Sequence, residues 1–154
     1  MKTLLILISF LFLTNSNLVH QDTPLQIDKK GNLIGLPKEF SPAKFDLHEK
    51  KLRINDEEIV FPECLNYYFE EHKNPKINFL ASWYHSKEIM PYYLIINIHD
   101  NDVNYGYKIL VDLETLDLIY LNKFIREGNT TYNPEVELSE ECLTEYKSGI
   151  KTLN

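Results

Sequence analysis

His85 and His99 each end a predicted central strand, and Asp100 and Asp102 follow the second of them. Two imidazoles and a carboxylate can hold a metal ion, and a histidine beside an aspartate can act as a general base. Either use requires the fold to bring His85 and His99 face to face across a hairpin, or one of them to Asp100. Histidine is also ordinary at wet hairpin ends, and this spacing matches no ligand template, so no metal site and no cofactor is assigned. Asp100, Asp102 and Asn104 set oxygens at positions one, three and five, as an EF-hand calcium loop does. The pattern then fails: Tyr105 stands where the glycine belongs and Val111 where the closing glutamate belongs. A polar hairpin turn accounts for the same residues. The adjacent acids Glu57-Glu58, Glu70-Glu71 and Glu140-Glu141 diverge in direction on any regular element, which suits a solvated surface better than a catalytic pair.

Ten tyrosines are the most distinctive part of the composition. Tyr84, Tyr92, Tyr93, Tyr105, Tyr107 and Tyr120 gather with Trp83 in the predicted sheet. Such side chains combine an apolar body with a polar tip, which suits recognition surfaces, and they are also good strand formers. The residues assigned to binding are Trp83, Tyr84, Tyr93 and His99. Gly-rich phosphate loops, the Gly-x-Ser-x-Gly elbow and the His-Glu-x-x-His helix are all absent from the sequence. No catalytic residue is assigned. Asn129-Thr130-Thr131 is a glycosylation sequon in a host that modifies exported chains.

Cys64 and Cys142 are the only cysteines. In an oxidising compartment they predict one bridge clamping helix to helix; the other reading is two buried thiols behaving as small hydrophobes. The compartment is read from the start of the chain. Met1-Lys2-Thr3 precedes an apolar run from Leu4 to Leu13, short for a membrane span and right for a secretory leader. Thr14 and Ser16 suit a signal peptidase, so residues 1–16 are expected to be removed and residues 17–154 to form one domain; the alternative is an uncleaved anchor. The expected location is secreted or periplasmic, with no membrane attachment after cleavage.

The 154 residues carry a formal charge of −7, and removal of residues 1–16 takes away Lys2 and no acid, leaving −8. An acidic surface repels phosphate backbones, which excludes nucleic acid as a partner and suits a basic protein. With 44% hydrophobic and 25% charged residues, the chain falls in the range of one small globular domain.

The elements that must position these residues follow from periodicity. Gln21 to Pro24 reads as a lead-in. Short strands are predicted at residues 25–28, 33–36, 44–48, 51–54 and 57–61. Pro62-Glu63 opens a helix with Leu65, Tyr68 and Phe69 on one face and Glu70 to Lys73 as its exposed last turn. Alternation then marks strands at residues 76–85, 92–99, 105–113 and 118–123, joined by turns so short that neighbours must be antiparallel. Their second parity mixes apolar and polar residues, so that face is expected to be partly covered or to form a contact surface. Residues 124–138 read as irregular, and a helix is predicted from Ser139 to the C-terminus through Cys142, Leu143, Tyr146 and Ile150. The fold class is α+β: an antiparallel meander of about four central strands with short N-terminal strands and two helices.

The leading functional expectation is an exported, acidic, non-enzymatic binding protein of inhibitor or immunity type. The alternatives are a small-molecule or metal-binding module with a pocket at Trp83, Tyr84 and Tyr93, a small hydrolase using His85 or His99 with Asp100, or a structural envelope component.

Overall fold

A computed structural model of the chain describes residues 19–85 and 92–153, excluding the side chains of residues 19, 20 and 83–85. The expected leader at residues 1–16 and the expected turn at residues 86–91 lie outside the described residues. In chain order the elements are β1 (Val19–Pro24), β2 (Gln26–Ile27), β3 (Leu33–Ile34), a 3-10 turn (Lys38–Phe40), β4 (Ala43–Asp46), β5 (Lys51–Ile54), β6 (Glu57–Val60), α1 (Glu63–Glu70), β7 (Lys76–His85), β8 (Tyr92–His99), β9 (Tyr105–Asp112), β10 (Leu118–Glu127), β11 (Thr130–Tyr132), α2 (Glu140–Ser148) and β12 (Ile150–Thr152).

The class is α+β, and β7 to β10 pair antiparallel in sequence order. The sheet nevertheless has six strands, in the order β1-β7-β8-β9-β10-β11, where about four were expected. Both additions are edge strands. β1 covers the supposed lead-in and runs along β7 from Val19↔His85 to Pro24↔Leu80. Its Gln21-Asp22-Thr23 run has no apolar alternation, because the neighbouring strand supplies the ladder. At the other edge β10 continues to Glu127, and Gly128-Asn129 forms a two-residue loop into β11, pairing Glu127 with Thr130. Gly128 has φ +60°, which such hairpin loops require and glycine adopts freely.

A second antiparallel sheet has the order β12-β6-β5-β4. β12 was expected to be the end of the C-terminal helix. Instead α2 stops at Ser148, Gly149 caps it, and Ile150 pairs with Ile59 of β6. The β-branched Ile150 and Thr152 favour a strand once the free edge of β6 is available. The start of α2 is as expected: the Ser139 side-chain oxygen accepts the Cys142 backbone N–H at 3.2 Å.

The core lies between the two sheets. Phe79, Leu94, Ile96, Ile98, Ile109 and Val111 face Phe45, Leu52, Ile54 and Ile59, with Phe61, Leu65 and Phe69 closing one side and Cys142 and Tyr146 of α2 another. Cys64 in the first turn of α1 is disulfide-bonded to Cys142, with their Cα atoms 6.0 Å apart. No helix of the described residues is long and apolar enough to cross a membrane.

Two predictions follow from how α2 is held. The bridge closes a sequence separation of 78 residues, for which chain entropy gives up to about 4.5 kcal/mol. Urea denaturation of the Cys64→Ala/Cys142→Ala variant should show a loss approaching that figure, and added reductant should lower the wild type to the same midpoint. Fully buried Tyr146 donates its hydroxyl proton to the Leu116 carbonyl at 2.7 Å. Burial, and then the charge of Asp117, hold this phenol above its ordinary pKa. Its contribution to stability is complete below about pH 10, the unfolded value, and is lost as pH rises toward the folded one. Tyr146→Phe should cost about 1 kcal/mol at neutral pH and flatten the alkaline decline in thermal midpoint.

Candidate functional site

The second face of the six-stranded sheet is layered by its register. One row reads Asp22, Ser82, Tyr93, Asp112 across β1, β7, β8 and β9. The next holds Leu80, Ile95, Leu110 and Tyr120, of which Ile95 and Leu110 are buried. Then come Asn78, Asn97, Lys108 and Asn122, and last Lys76, His99, Gly106 and Phe124. The mixed parity of the sequence thus resolves into a partly apolar middle between an acidic end and a cationic end.

At the cationic end the sheet closes into a cup. A cavity of about 250 Å³ is lined by Asn78 of β7, Asn97 and His99 of β8, Lys108 of β9, Phe124 and Arg126 of β10, Thr131 of β11, and Asn133. β7 and β11 are four strands apart, and in a flat sheet they would be separated by about 19 Å. One small cavity reaching both requires the sheet to curl toward this face. Gly106 permits the closure, because the Phe124 ring of the adjacent strand lies directly against its Cα position. The Arg126 guanidinium sits 5.4 Å from the centre of the same ring.

Among the described residues no acid lines the cup. Half-buried His99 is held below its ordinary pKa, first by burial and then by the charges of Arg126, Lys76 and His72, against a weaker opposing effect of Asp100. Its imidazole is therefore mainly neutral at pH 7, with one nitrogen to donate and one to accept. Asp100 is committed elsewhere. One of its oxygens accepts the Asn74 N–H and the other the Asp102 N–H, both at 3.0 Å, and these bonds hold its carboxyl below the ordinary range. The Asn104 amide donates to the Arg126 carbonyl at 3.3 Å. Of the three residues that resemble a calcium loop in sequence, Asp100 thus has both oxygens engaged by backbone N–H groups, and no metal-binding group of three or more ligands occurs among the described residues.

His85 and His99 do not meet. His99 pairs with Lys76, at the start of β7, whereas His85 ends that strand nine residues on, about 30 Å away at strand rise. An antiparallel pair sets the end of one strand against the beginning of the next, so two strand-ending histidines fall at opposite ends of the sheet. Of the assigned binding residues, Tyr93 and His99 share a face of β8 but are six residues apart, about 20 Å. Trp83 pairs with Gln21 and Tyr92, and Tyr84 with His20; their side chains lie outside the described residues.

Glu71 and His72 are displaced from the exposed helical turn expected of them. α1 ends at Glu70, and His72 is buried with its ring 5.1 Å from Tyr105 and 6.0 Å from Tyr107. The Tyr105 hydroxyl donates to Glu71 at 3.3 Å, and Tyr68 packs edge-on to Tyr107 at 4.8 Å. Burial, assisted by the Glu71 charge, raises the pKa of Tyr68, Tyr105 and Tyr107. Much of the tyrosine surplus therefore cements α1 to the sheet. A larger groove of about 470 Å³ opens beside the β2–β3 hairpin over Phe45, Ile77 and Phe79. Its acids are tied into turns: Asp28 accepts from Lys30 and Asn32, and Asp46 from His48 and Glu49.

Asn78, Asn97, Lys108, Arg126, Thr131 and Asn133 were not assigned to a binding site from the sequence. The position of residues 76 and 78, 97 and 99, and 108 opposite the apolar row of their own strands was a usable signal for the central part. The β11 part was hidden by the irregular reading of residues 124–138. Comparison with protein-family models, curated proteins and solved structures finds no match to this chain.

The contact between Gly106 and Phe124 can be tested directly. A methyl group at residue 106 would collide with the Ile98 carbonyl oxygen as well as the Phe124 ring. Gly106→Ala should destabilise by about 1–3 kcal/mol in urea and move the Phe124 ring resonances, while Phe124→Leu in the same background should recover part of the loss.

Proposed function

We propose that this chain is an exported, non-enzymatic binding protein whose acidic end docks a basic protein, in the manner of an inhibitor or immunity factor. The observation that supports this reading is the concentration of charge. Residues 112–145 hold nine acids and only two bases, Lys123 and Arg126, a surplus equal to the −7 of the whole chain. Both bases are engaged away from the acids. Lys123 lies over the Tyr105 ring at 4.3 Å, and Arg126 lies in the cup.

Packing draws most of these acids toward one end, whereas Glu127 at the end of β10 and Glu135 opposite Asn122 lie toward the cup. The Tyr146 bond to Leu116 sets α2 beside the turn bearing Glu114 and Asp117. Backbone bonds from Lys123 to Pro134 and from Val136 to Leu121 lay the segment with Glu135 and Glu137 along β10. Exposed Ile119 and Leu143 are set among the acids, and Tyr93 and Tyr120 flank Asp112 on the sheet. A protein interface commonly combines such apolar anchors with a charged rim. Lys147 at the end of α2 is the base nearest the patch in sequence.

The export part of this reading is supported by the leader-like start of the sequence and by a fold whose two helices are joined through a disulfide, a bond favoured in oxidising compartments. Charge-guided association weakens as salt screens it. The wild-type chain, used as bait in the exported fraction of its host, should retain a basic protein at low salt and release it at about 0.5 M salt. Glu140→Lys/Glu141→Lys/Glu145→Lys should slow association at least about tenfold. Equal retention by that variant, or no retained partner at low salt, overturns the reading.

A further inference from the structure

We propose that the cup on the concave face of the six-stranded sheet is a binding site for a small oxyanion-bearing molecule, its charge held by Lys108 and Arg126 and its hydroxyl or carbonyl groups read by the surrounding asparagines.

The lining runs against the character of the chain. Acids outnumber bases 23 to 16 overall, yet among the described residues the cup contains two permanent cations and no acid. The contrast with another charged hollow, on the second sheet, is direct. There Lys51 pairs with Glu49 at 2.5 Å and Arg53 with Glu58 at 2.9 Å, so its cations are neutralised within the protein. Among the described residues neither Lys108 nor Arg126 forms an ion pair. A half-buried ammonium without a counter-ion keeps a desolvation cost that an incoming anion would repay. Arginine adds a planar fork suited to two oxygens of a carboxylate or phosphate, and that of Arg126 lies 5.4 Å from the centre of the Phe124 ring that lines the same cup.

Size and the remaining polar groups narrow the ligand. About 250 Å³ lies below the usual range for drug-sized ligands, about 300–1,000 Å³, so the guest is small. Asn78 and Asn97 face each other across β7 and β8, and each amide offers both donors and an acceptor. Neutral His99 adds one donor and one acceptor beside them. Such a set matches a short polyol or hydroxy acid carrying one oxyanion, and it is too confined for a polymer backbone.

The test uses the full chain and three probes of similar size: glucose 6-phosphate, gluconate and uncharged glucose. The imidazole signals of His99 are followed by NMR at fixed pH. Anion binding beside His99 offsets the cationic surroundings, so its signals should move toward the protonated position and saturate below about 10 mM probe. A response to glucose 6-phosphate alone assigns a phosphate ester; a response to gluconate as well assigns oxyanions in general. Lys108→Gln and Arg126→Gln, each checked for wild-type dispersion outside the cup, should each weaken binding about tenfold, whereas Lys147→Gln on α2 should not change it. Absence of a saturable shift with both anions, an equal response to glucose, or unchanged binding in both cup variants overturns the proposal.

Discussion

Five aromatic rings hold the layers of this protein together. Phe45 of β4 lies 5.1 Å from Phe79 of β7, 5.9 Å from Phe69 of α1 and 6.3 Å from Phe61, which in turn lies 5.4 Å from Phe69 and 5.9 Å from Tyr146 of α2. The six-stranded sheet, the four-stranded sheet and both helices each supply at least one ring. Tilted and stacked aromatic contacts at these distances are favourable beyond the area they bury, and removing one ring would loosen more than one layer. The Cys64–Cys142 bond lies in the same joint and ties the two helices that flank it. The second sheet is small and three of its strands have four residues; this shared centre gives it a defined place against the larger one.

With one face of the large sheet committed to that centre, the other is free to specialise along its length. Its rows pass from Asp22 and Asp112, through buried Ile95 and Leu110, to Lys108 and His99. Curling concentrates the cationic end into a cup, while the acids of the β9–β10 turn and α2 gather at the opposite end. The two ends are built by different means. The acidic one depends on the turn at Leu116, whose backbone stands at φ +57° with its side chain fully buried and its carbonyl bonded to Tyr146. The cationic one depends on the absence of a side chain at Gly106.

The central strands were legible in the sequence because Ile77, Phe79 and Ala81, or Leu94, Ile96 and Ile98, repeat at period two and face a core. The edges were less so. Val19 to Pro24 and Thr130 to Tyr132 pair on one side only, and an edge strand needs no apolar alternation to take part in a ladder. Gly128-Asn129 was nonetheless a hairpin signal at the right spacing. Ile150 extended a helical stripe, and only the open edge of β6 made it a strand. His72 looked exposed because helical spacing places it beyond the apolar face, whereas α1 ends two residues earlier and turns it onto Tyr105. The cup lay furthest from view, since its residues come from five strands and meet only through curvature, which no local pattern records.

The separation of charge also sets how the molecule behaves before any contact forms. The acids of the β9–β10 turn and α2 lie toward one end of the strands and Lys108 and Arg126 toward the other, an asymmetry partly offset by Asp100, Asp102 and Glu127 at the cup end. In the field of a charged neighbour such a body rotates during its approach and arrives with one pole leading. Fewer encounters are then spent in unproductive orientations, and the same asymmetry directs the cup away from whatever the acidic pole meets.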